Sequence, residues 1–259
     1  MNRNLAIVPA YNEADAIGTT VGAIRRLAPD FDVLVVDDGS ADATAERAHA
    51  AGAGVLRLPF NLGIGAAVQS GYVYAEENGY DVAVQVDGDG QHDPGHIHDL
   101  LDRLNGDPDL NMVTGSRFLE SEGDGFRSSA MRRVGIRLFS RVVSAITGQR
   151  VTDPTSGFRM IDRRGIELFA RDYPHDYPEV EAILLMHANR LRSCETPVVM
   201  APRVSGESAI TMTQSVYYMV KVPVPNLSAR IAAGEMASAI WLGLSSLAAG
   251  ALNAASMIY

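Results

Sequence analysis

The chain has 259 residues and a formal net charge of −9, from 22 Lys and Arg against 31 Asp and Glu. This acidic balance excludes a general nucleic-acid binder, which needs a basic face to neutralise phosphates. An apolar share of 47% excludes wholesale disorder and is enough for one large α/β core or two small ones. The single cysteine, Cys194, cannot form an internal disulfide, and the apolar run Leu5–Val8 is too short for a signal-peptide core. We therefore expect a cytoplasmic protein.

Short apolar runs alternate with helical patterns along the chain. The predicted strands are Leu5–Val8, Val33–Val36, Gly54–Leu58, Val82–Val86, Met112–Ser116 and Thr196–Met200. The predicted helices are Asp15–Leu27, Ala41–Ala51, Ile64–Asn78, Gly95–Leu104, Ser128–Thr147 and Glu179–His187. Continuous apolar strands, each followed by a helix, predict an α/β fold with a mostly parallel sheet covered on both faces. Ligands of such sheets bind beyond the carboxyl ends of the strands, where the polar residues of this chain cluster.

The strongest chemical signal follows the predicted strand Val82–Val86. Asp87, Asp89 and Gln91 stand at alternate positions, and their carboxylate and amide oxygens suit Mg²⁺ or Mn²⁺, which in turn hold phosphates. The alternative is an acidic turn that caps the helix after Pro94. His92, His96 and His98 follow closely, but the last two point to different faces of the predicted helix, which disfavours a zinc site.

Two further segments lie at predicted strand ends. A carboxylate of Asp37 or Asp38 can accept hydrogen bonds from a base or ribose, or can cap the following helix. The segment Asn61–Val68 is a glycine-rich entry to a helix, but it is neither a dinucleotide fingerprint nor a P-loop. It predicts a close backbone approach to a phosphate or to the sheet, or simply a helix-start turn.

Positive charge is concentrated in one segment. Between Arg127 and Arg150 there are six arginines and no Asp or Glu. Arg133, Arg137 and Arg141 are spaced four apart, so they form one stripe of a basic amphipathic helix. This pattern indicates an anionic membrane surface or a lipid phosphate, or else a solvated face that pairs with acidic loops.

The end of the chain has a different composition. The 24 residues from Met236 to Tyr259 carry no charged side chain. A segment of this length is long enough to span a bilayer. They are rich in Ala, Ser and Gly, so a buried or interfacial helix and disorder stay open as alternatives. We expect one catalytic domain over residues 1–222 and an apolar tail over residues 223–259, for which a membrane-associated helix is one of the alternatives.

One more motif, Asp153–Arg159, combines an acid, a serine and an arginine around a glycine. Asp153 has the chemistry of a general base and Arg159 that of a phosphate clamp, while a proline-started turn is the alternative. Arg203, also near a glycine, adds a second basic group.

Six short motifs occur in one order and together resemble a known family. They are Pro9–Glu13, Val36–Ser40, Asn61–Gly65, Asp87–Pro94, Gly115–Arg117 and Asp153–Arg159. The set resembles a family 2 glycosyltransferase with the GT-A fold, a Rossmann-like single catalytic domain. It is most similar to the branch of dolichyl-phosphate mannosyltransferase and the bacterial polyprenyl-phosphate glycosyltransferases.

The resemblance implies roles for individual residues. The implied nucleotide-binding residues are Pro9, Tyr11, Glu13, Asp38, Gly65 and Asp87, and the implied metal ligands are Asp87, Asp89 and Gln91. The implied catalytic residues are Asp89, Arg117, Asp153 and Arg159, and the implied acceptor or phosphate contacts are Arg117, Ser156 and Arg203. The charge pattern, independently of the resemblance, adds Arg133 and Arg137 as acceptor or phosphate contacts. Asp153 would orient Arg159 or the sugar if the acceptor is already an anion.

The implied reaction is an inverting, Mg²⁺- or Mn²⁺-dependent transfer of a sugar from a UDP- or GDP-sugar to a polyprenyl phosphate. A lipid phosphate needs positive charge rather than a base, so the arginines favour it. We expect the protein to lie peripherally at the cytoplasmic face of the membrane. Two alternatives are transfer to a saccharide hydroxyl and a non-catalytic subunit that binds a nucleotide-sugar.

Overall fold

A computed structural model of the chain describes residues 3–119, 140–175 and 178–200. All of these residues belong to one compact unit, Met1–Glu207. Several expectations concern the remainder and therefore lie outside the described residues. They are Arg133 and Arg137 of the arginine stripe, the phosphate contact Arg203, the boundary at residue 222 and the apolar tail.

The described residues build a seven-stranded sheet in the order β3-β2-β1-β4-β6-β5-β7. The strands are β1 Asn4–Ala10, β2 Phe31–Asp37, β3 Gly54–Arg57, β4 Val82–Gln85, β5 Leu110–Ser116, β6 Arg159–Asp162 and β7 Arg192–Pro197. Strand β6 is antiparallel to both of its neighbours, β4 and β5, and the other described pairings are parallel. The expectation of a mostly parallel sheet is therefore confirmed.

Helices cover both faces of this sheet. The helices are α1 Ala14–Leu27, α2 Thr44–Ala50, α3 Ile64–Glu77, α4 Ile97–Asn105, α5 over residues 140–147, α6 Arg163–Arg171 and α7 Pro178–Ala188, with a 3-10 turn at Pro94–His96. Ala6 and Val8 of β1 share one core cluster with Ile17 of α1 and Leu100 of α4. Ile7 points the other way, against Gly71 of α3. Burial on both faces explains why the central strands are continuously apolar. In the described ranges, no helix has both the length and the apolar character needed to cross a membrane.

The structure differs from the sequence prediction in the second half of the sheet. Strand β6 and helix α6 had not been predicted, because β6 begins at Arg159 and ends at Asp162, which look like loop residues. Asp162 accepts a hydrogen bond from Gly165 N at 2.9 Å and so caps α6. Strand β7 covers Arg192–Pro197 rather than Thr196–Met200. As an edge strand it is only partly buried, so it lacks the apolar run on which the prediction relied.

The topology brings the carboxyl ends of β1, β2, β4 and β5 to one edge of the sheet, because these strands run in the same direction. The polar residues that follow them therefore lie along that edge, as expected from the sequence.

Two helical glycines have opposite surroundings and give a direct test of this packing. A Cβ at Gly65 would lie 2.5 Å from the carbonyl oxygen of Pro174 and 2.6 Å from Cα of His175, whereas one at Gly18 would meet nothing within 4 Å. We expect Gly65→Ala to lower the free energy of unfolding by about 2 kcal/mol through overpacking. Gly18→Ala should raise it by about 0.5 kcal/mol, because alanine favours the helix. Urea denaturation measures both changes, and equal stabilities of the two variants would contradict the contact at Gly65.

Candidate functional site

Hydrogen bonds join the loops that follow β1 and β2. Asn12 adopts a left-handed backbone conformation with φ 54°, its N–H donates to Ser40 Oγ at 2.9 Å, and its Oδ1 accepts from Ala41 N at 3.0 Å. Glu13 N donates to Thr44 Oγ1 at 2.9 Å. Pro9 is buried in β1, whereas Tyr11 is exposed beside this junction. The segment Pro9–Glu13, which was predicted to line the nucleotide pocket, is therefore hydrogen-bonded to the loop after β2 and leaves Tyr11 exposed.

Asp38 is buried, and its carboxylate is engaged by another loop. Its Oδ1 accepts from Leu62 N at 2.7 Å and its Oδ2 accepts from Gly63 N at 2.9 Å. The neighbouring Gly39 has φ 71° and lies against the backbone of Phe60, where a Cβ would be 2.6 Å from its carbonyl carbon. In this arrangement the carboxylate of Asp38 holds the loop at Leu62 and Gly63, and its expected place in the nucleotide pocket stays a prediction.

The glycine-rich segment is a helix-start turn. Gly63, with φ 92°, is the N-cap of α3. Gly65 packs against the backbone of Pro174 and His175. The close approach that the sequence predicted at Gly65 is thus to another part of the chain, and not to a ligand, because that backbone fills the space.

The end of β4 presents a partly exposed carboxylate. The side chain of Asp87 is 33% exposed, and its Oδ1 accepts from Gln85 Nε2 at 3.2 Å. Asp87 N donates to Nδ1 of the buried His92 at 3.0 Å, and the other ring nitrogen lies 3.5 Å from Asp87 Oδ2. His92 also stacks on Phe158, with centroids 5.0 Å apart. The sequence analysis considered this histidine only for a zinc site, which it disfavoured, and missed its contacts with Asp87.

The remaining acids of this motif divide into two roles. Asp89 is buried, and its Oδ1 accepts from Gln91 N at 3.0 Å, which tightens the turn. Asp93 Oδ1 accepts from Gly95 N at 2.8 Å and caps the 3-10 turn. The capping alternative thus describes Asp93, while Asp87 is left at the sheet edge beside the half-buried Gln91.

The carboxylates after β4 fit a divalent cation whose remaining ligands come from the substrate and from water. Within the described residues, no group of three or more His, Cys, Asp or Glu side chains is arranged to hold a metal ion. Mg²⁺, however, is commonly bound through one or two carboxylates, together with water and substrate phosphates, rather than in an all-protein cage. Asp87 offers such a carboxylate, with Asp89 in the same turn.

A buried ion pair lies beyond β5. Arg117 Nε donates to Asp153 Oδ2 at 2.7 Å and Nη2 donates to Oδ1 at 2.8 Å, while Arg117 N donates to Oδ2 at 3.2 Å. Nη2 also donates to Thr155 Oγ1 at 2.9 Å. Burial by itself lowers the pKa of Arg117, but the hydrogen bonds and charge of Asp153 and the charge of Asp87 raise the pKa overall. Arg117 is therefore held permanently cationic at this site, with 17% of its side chain exposed.

The structure corrects the role expected of Asp153. Its side chain is 0% exposed, and its carboxylate orients Arg117 rather than Arg159 or a sugar. A carboxylate that is fully enclosed and bound by a guanidinium does not fit a general base that must reach an acceptor hydroxyl. The adjacent turn is held by Glu195 of β7, whose carboxylate accepts from Thr152 N and Asp153 N, each at 2.8 Å. Sequence reasoning missed Glu195, because nothing in a polar edge strand marks it.

Arg159 and Ser156 also differ from expectation. Arg159 is 1% exposed, and its guanidinium donates to the carbonyl oxygens of Ser156, Pro178 and Glu179. Ser156 is buried, and its hydroxyl accepts from Phe158 N at 3.3 Å. Burial raises the pKa of Glu179, and the charge of Arg159 opposes this shift. The expected phosphate contacts are thus replaced by structural ones, because β6 carries Arg159 into the interior.

The acidic edge and the Arg117–Asp153 pair form one site. A Cβ at Gly157 would lie 3.0 Å from Gln85 Nε2 and 3.4 Å from both carboxylate oxygens of Asp87. The segment that carries Asp153 therefore passes directly over the end of β4. A carboxylate suited to a cation and a cationic guanidinium thus face the same edge of the sheet, which is an arrangement suited to phosphate groups.

Comparison with known proteins agrees with this geometry. The sequence model of Glycosyl transferase family 2 matches residues 5–169. The undecaprenyl-phosphate mannosyltransferase of Micrococcus luteus is 31% identical over 217 residues, which is 81% of this chain and 88% of that relative. The polyprenol monophosphomannose synthase of Mycolicibacterium smegmatis is 32% identical over 177 residues, 64% of this chain and 63% of that relative.

Solved structures share the fold. Glucosyl-3-phosphoglycerate synthase from Mycobacterium tuberculosis, solved in complex with Mn²⁺, UDP-glucose and phosphoglyceric acid, superposes with a TM-score of 0.65 at 21% identity. The match covers 92% of this chain and 82% of that chain. The α/β fold is thus that of the GT-A glycosyltransferases. The chain belongs to glycosyl transferase family 2, and it is a glycosyltransferase.

The structural role of Arg159 can be tested against an exposed arginine. We expect Arg159→Gln to lower the free energy of unfolding by about 3 kcal/mol, because buried carbonyl groups lose charged donors. Arg164→Gln, at an exposed position of α6, should change it by less than about 0.5 kcal/mol. Urea denaturation measures both variants. A stable Arg159→Gln protein that has lost only ligand affinity would restore the role of phosphate clamp.

Proposed function

We propose that the enzyme transfers a sugar, with inversion, from a UDP- or GDP-sugar to a polyprenyl phosphate. The observation that carries the proposal is the Arg117–Asp153 pair beside Asp87, which combines a fixed cation with a partly exposed carboxylate at one sheet edge. The relatives from Micrococcus and Mycolicibacterium, named for undecaprenyl-phosphate and polyprenol monophosphate mannosyl transfer, support the acceptor class.

The donor occupies the rim formed by the ends of β1, β2 and β4 in this proposal. Pro9, Tyr11 and Glu13 border the nucleotide, and Asp38 acts indirectly by holding the loop at Leu62 and Gly63. Asp87, Asp89 and Gln91 would hold Mg²⁺ or Mn²⁺ near the diphosphate. When bound, such an ion neutralises the charge that builds on the leaving diphosphate. The Mn²⁺ and UDP-glucose in the related solved structure support this choice of ligands.

The enclosed Asp153 favours an acceptor that needs no general base. A hydroxyl acceptor loses a proton during transfer, whereas a phosphate monoester is already an anion near neutral pH. The carboxylate of Asp153 is fully engaged with Arg117, which places positive charge rather than a base at the site. Arg117 therefore binds the donor diphosphate or the acceptor phosphate, and the charge pattern of the sequence adds Arg133, Arg137 and Arg203 to the acceptor side.

The membrane contact follows from the acceptor. A polyprenyl phosphate is anchored in a bilayer by its apolar chain, so the enzyme must work at the membrane surface. The segment from Arg127 to Arg150, with six arginines and no acid, suits an anionic surface. We therefore include peripheral association with the cytoplasmic face in the proposal.

The acceptor class is tested by offering both kinds of acceptor. The full chain is incubated with UDP- or GDP-sugars, Mg²⁺ or Mn²⁺, and either a short polyprenyl phosphate or a free saccharide, and products are identified by mass spectrometry. We expect a polyprenyl-phosphate-linked sugar as the product and no glycosylated saccharide. Chelation of the metal should stop the reaction. The matched polyprenol without its phosphate should not react. Products formed only with saccharide hydroxyls would overturn the assignment.

The metal-ligand role is tested at Asp89. We expect Asp89→Ala to lower kcat/KM by about 100-fold or more, since loss of a cation that neutralises the leaving group costs several kcal/mol in the transition state. Asp102→Ala, at an exposed position of α4, serves as the control and should keep full activity. Circular dichroism checks the fold of both variants. Full metal-dependent activity of Asp89→Ala would remove this residue from the ligand set.

A further inference from the structure

A carboxylate on the edge strand holds the turn that carries Asp153. Thr152 N donates to both oxygens of Glu195 at 2.8 Å, and Thr152 Oγ1 donates to Oε2 at 2.6 Å. Asp153 N donates to Oε1 at 2.8 Å. One side chain thus satisfies two consecutive backbone N–H groups and a hydroxyl. These are charge-assisted hydrogen bonds, which are stronger than neutral ones.

The same turn is hydrogen-bonded to Ser116, the residue before Arg117. Ser116 Oγ lies 2.7 Å from Thr152 Oγ1, and Phe118 N donates to Ser116 Oγ at 3.3 Å. Because the hydroxyl proton of Thr152 goes to the Glu195 carboxylate, Ser116 must donate to Thr152. The hydrogen bonds therefore run in one direction, from Phe118 through Ser116 and Thr152 to Glu195.

Arg117 itself is bound by the next residue of the turn. Its backbone N–H and its guanidinium all donate to the carboxylate of Asp153. The position of that carboxylate depends on the turn, and the turn depends on Glu195. No contact between Glu195 and Arg117 is needed for this dependence, because Asp153 and Thr152 lie between them.

We propose that Glu195 is a positioning residue, which sets the orientation of Arg117 through Thr152 and Asp153. This role of Glu195 rests on the proposed function in one respect, namely that Arg117 contacts a substrate phosphate. Without Glu195, two N–H groups of the turn lose their acceptor, and Asp153 no longer presents both oxygens to the guanidinium. Arg117 then remains in the protein but loses its fixed geometry.

The kinetic test is a double-mutant cycle with Glu195→Ala and Arg117→Ala in the full chain. We expect each single variant to lower kcat/KM for transfer to polyprenyl phosphate, by about 10- to 100-fold for Glu195→Ala, as is usual for residues that orient a binding group. The double variant should be no worse than Arg117→Ala, because residues that act as one unit are not additive. Glu195→Gln should lose less activity than Glu195→Ala, since its amide oxygen can accept both N–H groups, whereas its NH2 group cannot accept from Thr152.

A control variant comes from the same strand. Arg192→Ala removes exposed ion pairs with Asp107 and Asp109, and its effect should simply add to that of Arg117→Ala. Additive effects of Glu195→Ala and Arg117→Ala, or unchanged activity of Glu195→Ala, would overturn the positioning role while leaving the proposed function intact.

A second readout does not need activity. Phenylglyoxal modifies accessible guanidinium groups, and peptide mass spectrometry measures the rate at Arg117 relative to the exposed Arg164. We expect this rate to rise several-fold in Glu195→Ala and to rise less in Glu195→Gln. An unchanged rate in Glu195→Ala would overturn the proposal. A wild-type enzyme without transfer to polyprenyl phosphate would overturn the proposed function, and the modification rates would still decide whether Glu195 positions Arg117.

Discussion

The site depends on the ion pair between Arg117 and Asp153. A fully buried carboxylate carries a large desolvation cost, which a single exposed partner would not offset. Here the backbone N–H of Arg117, two nitrogens of its guanidinium and the hydroxyl of Thr155 all donate to the Asp153 carboxylate. The pair therefore fixes the position of the Arg117 guanidinium at the same edge as Asp87 before a substrate binds.

The acidic residues along the sheet edge fall into two groups, those that accept hydrogen bonds from backbone N–H groups and one that is partly exposed. Asp38, Asp93 and Glu195 accept hydrogen bonds from backbone N–H groups of the surrounding loops. Asp87 instead keeps part of its carboxylate exposed, and Gln85 and His92 hold it in place. The first group is needed because buried backbone donors must be paired. Asp87, in contrast, keeps a carboxylate that is partly exposed at the sheet edge.

Much of this arrangement could be predicted from the sequence. Four apolar strands followed by polar residues predicted a parallel sheet with its chemistry at one edge, because both faces of such a sheet are buried. The order of the short motifs predicted the family. The polarity of β6 hid that strand, since Arg159 is hydrogen-bonded by carbonyl groups that only the folded chain supplies. The bounds of β7 were predicted wrongly, because it lies at an edge where polar residues are tolerated.

By itself, the sequence determined the fold class, the family and the acidic edge after β4, since these follow from local periodicity and from residues close together in the chain. Only the tertiary structure decided the partners. Asp153 binds Arg117 and not Arg159, because β6 is inserted between β4 and β5 and draws Arg159 inward, while the end of β5 brings Arg117 to the turn. Arg117 and Asp153 are 36 residues apart in the chain, and strand order decides that they form an ion pair. The local sequence pattern does not specify strand order.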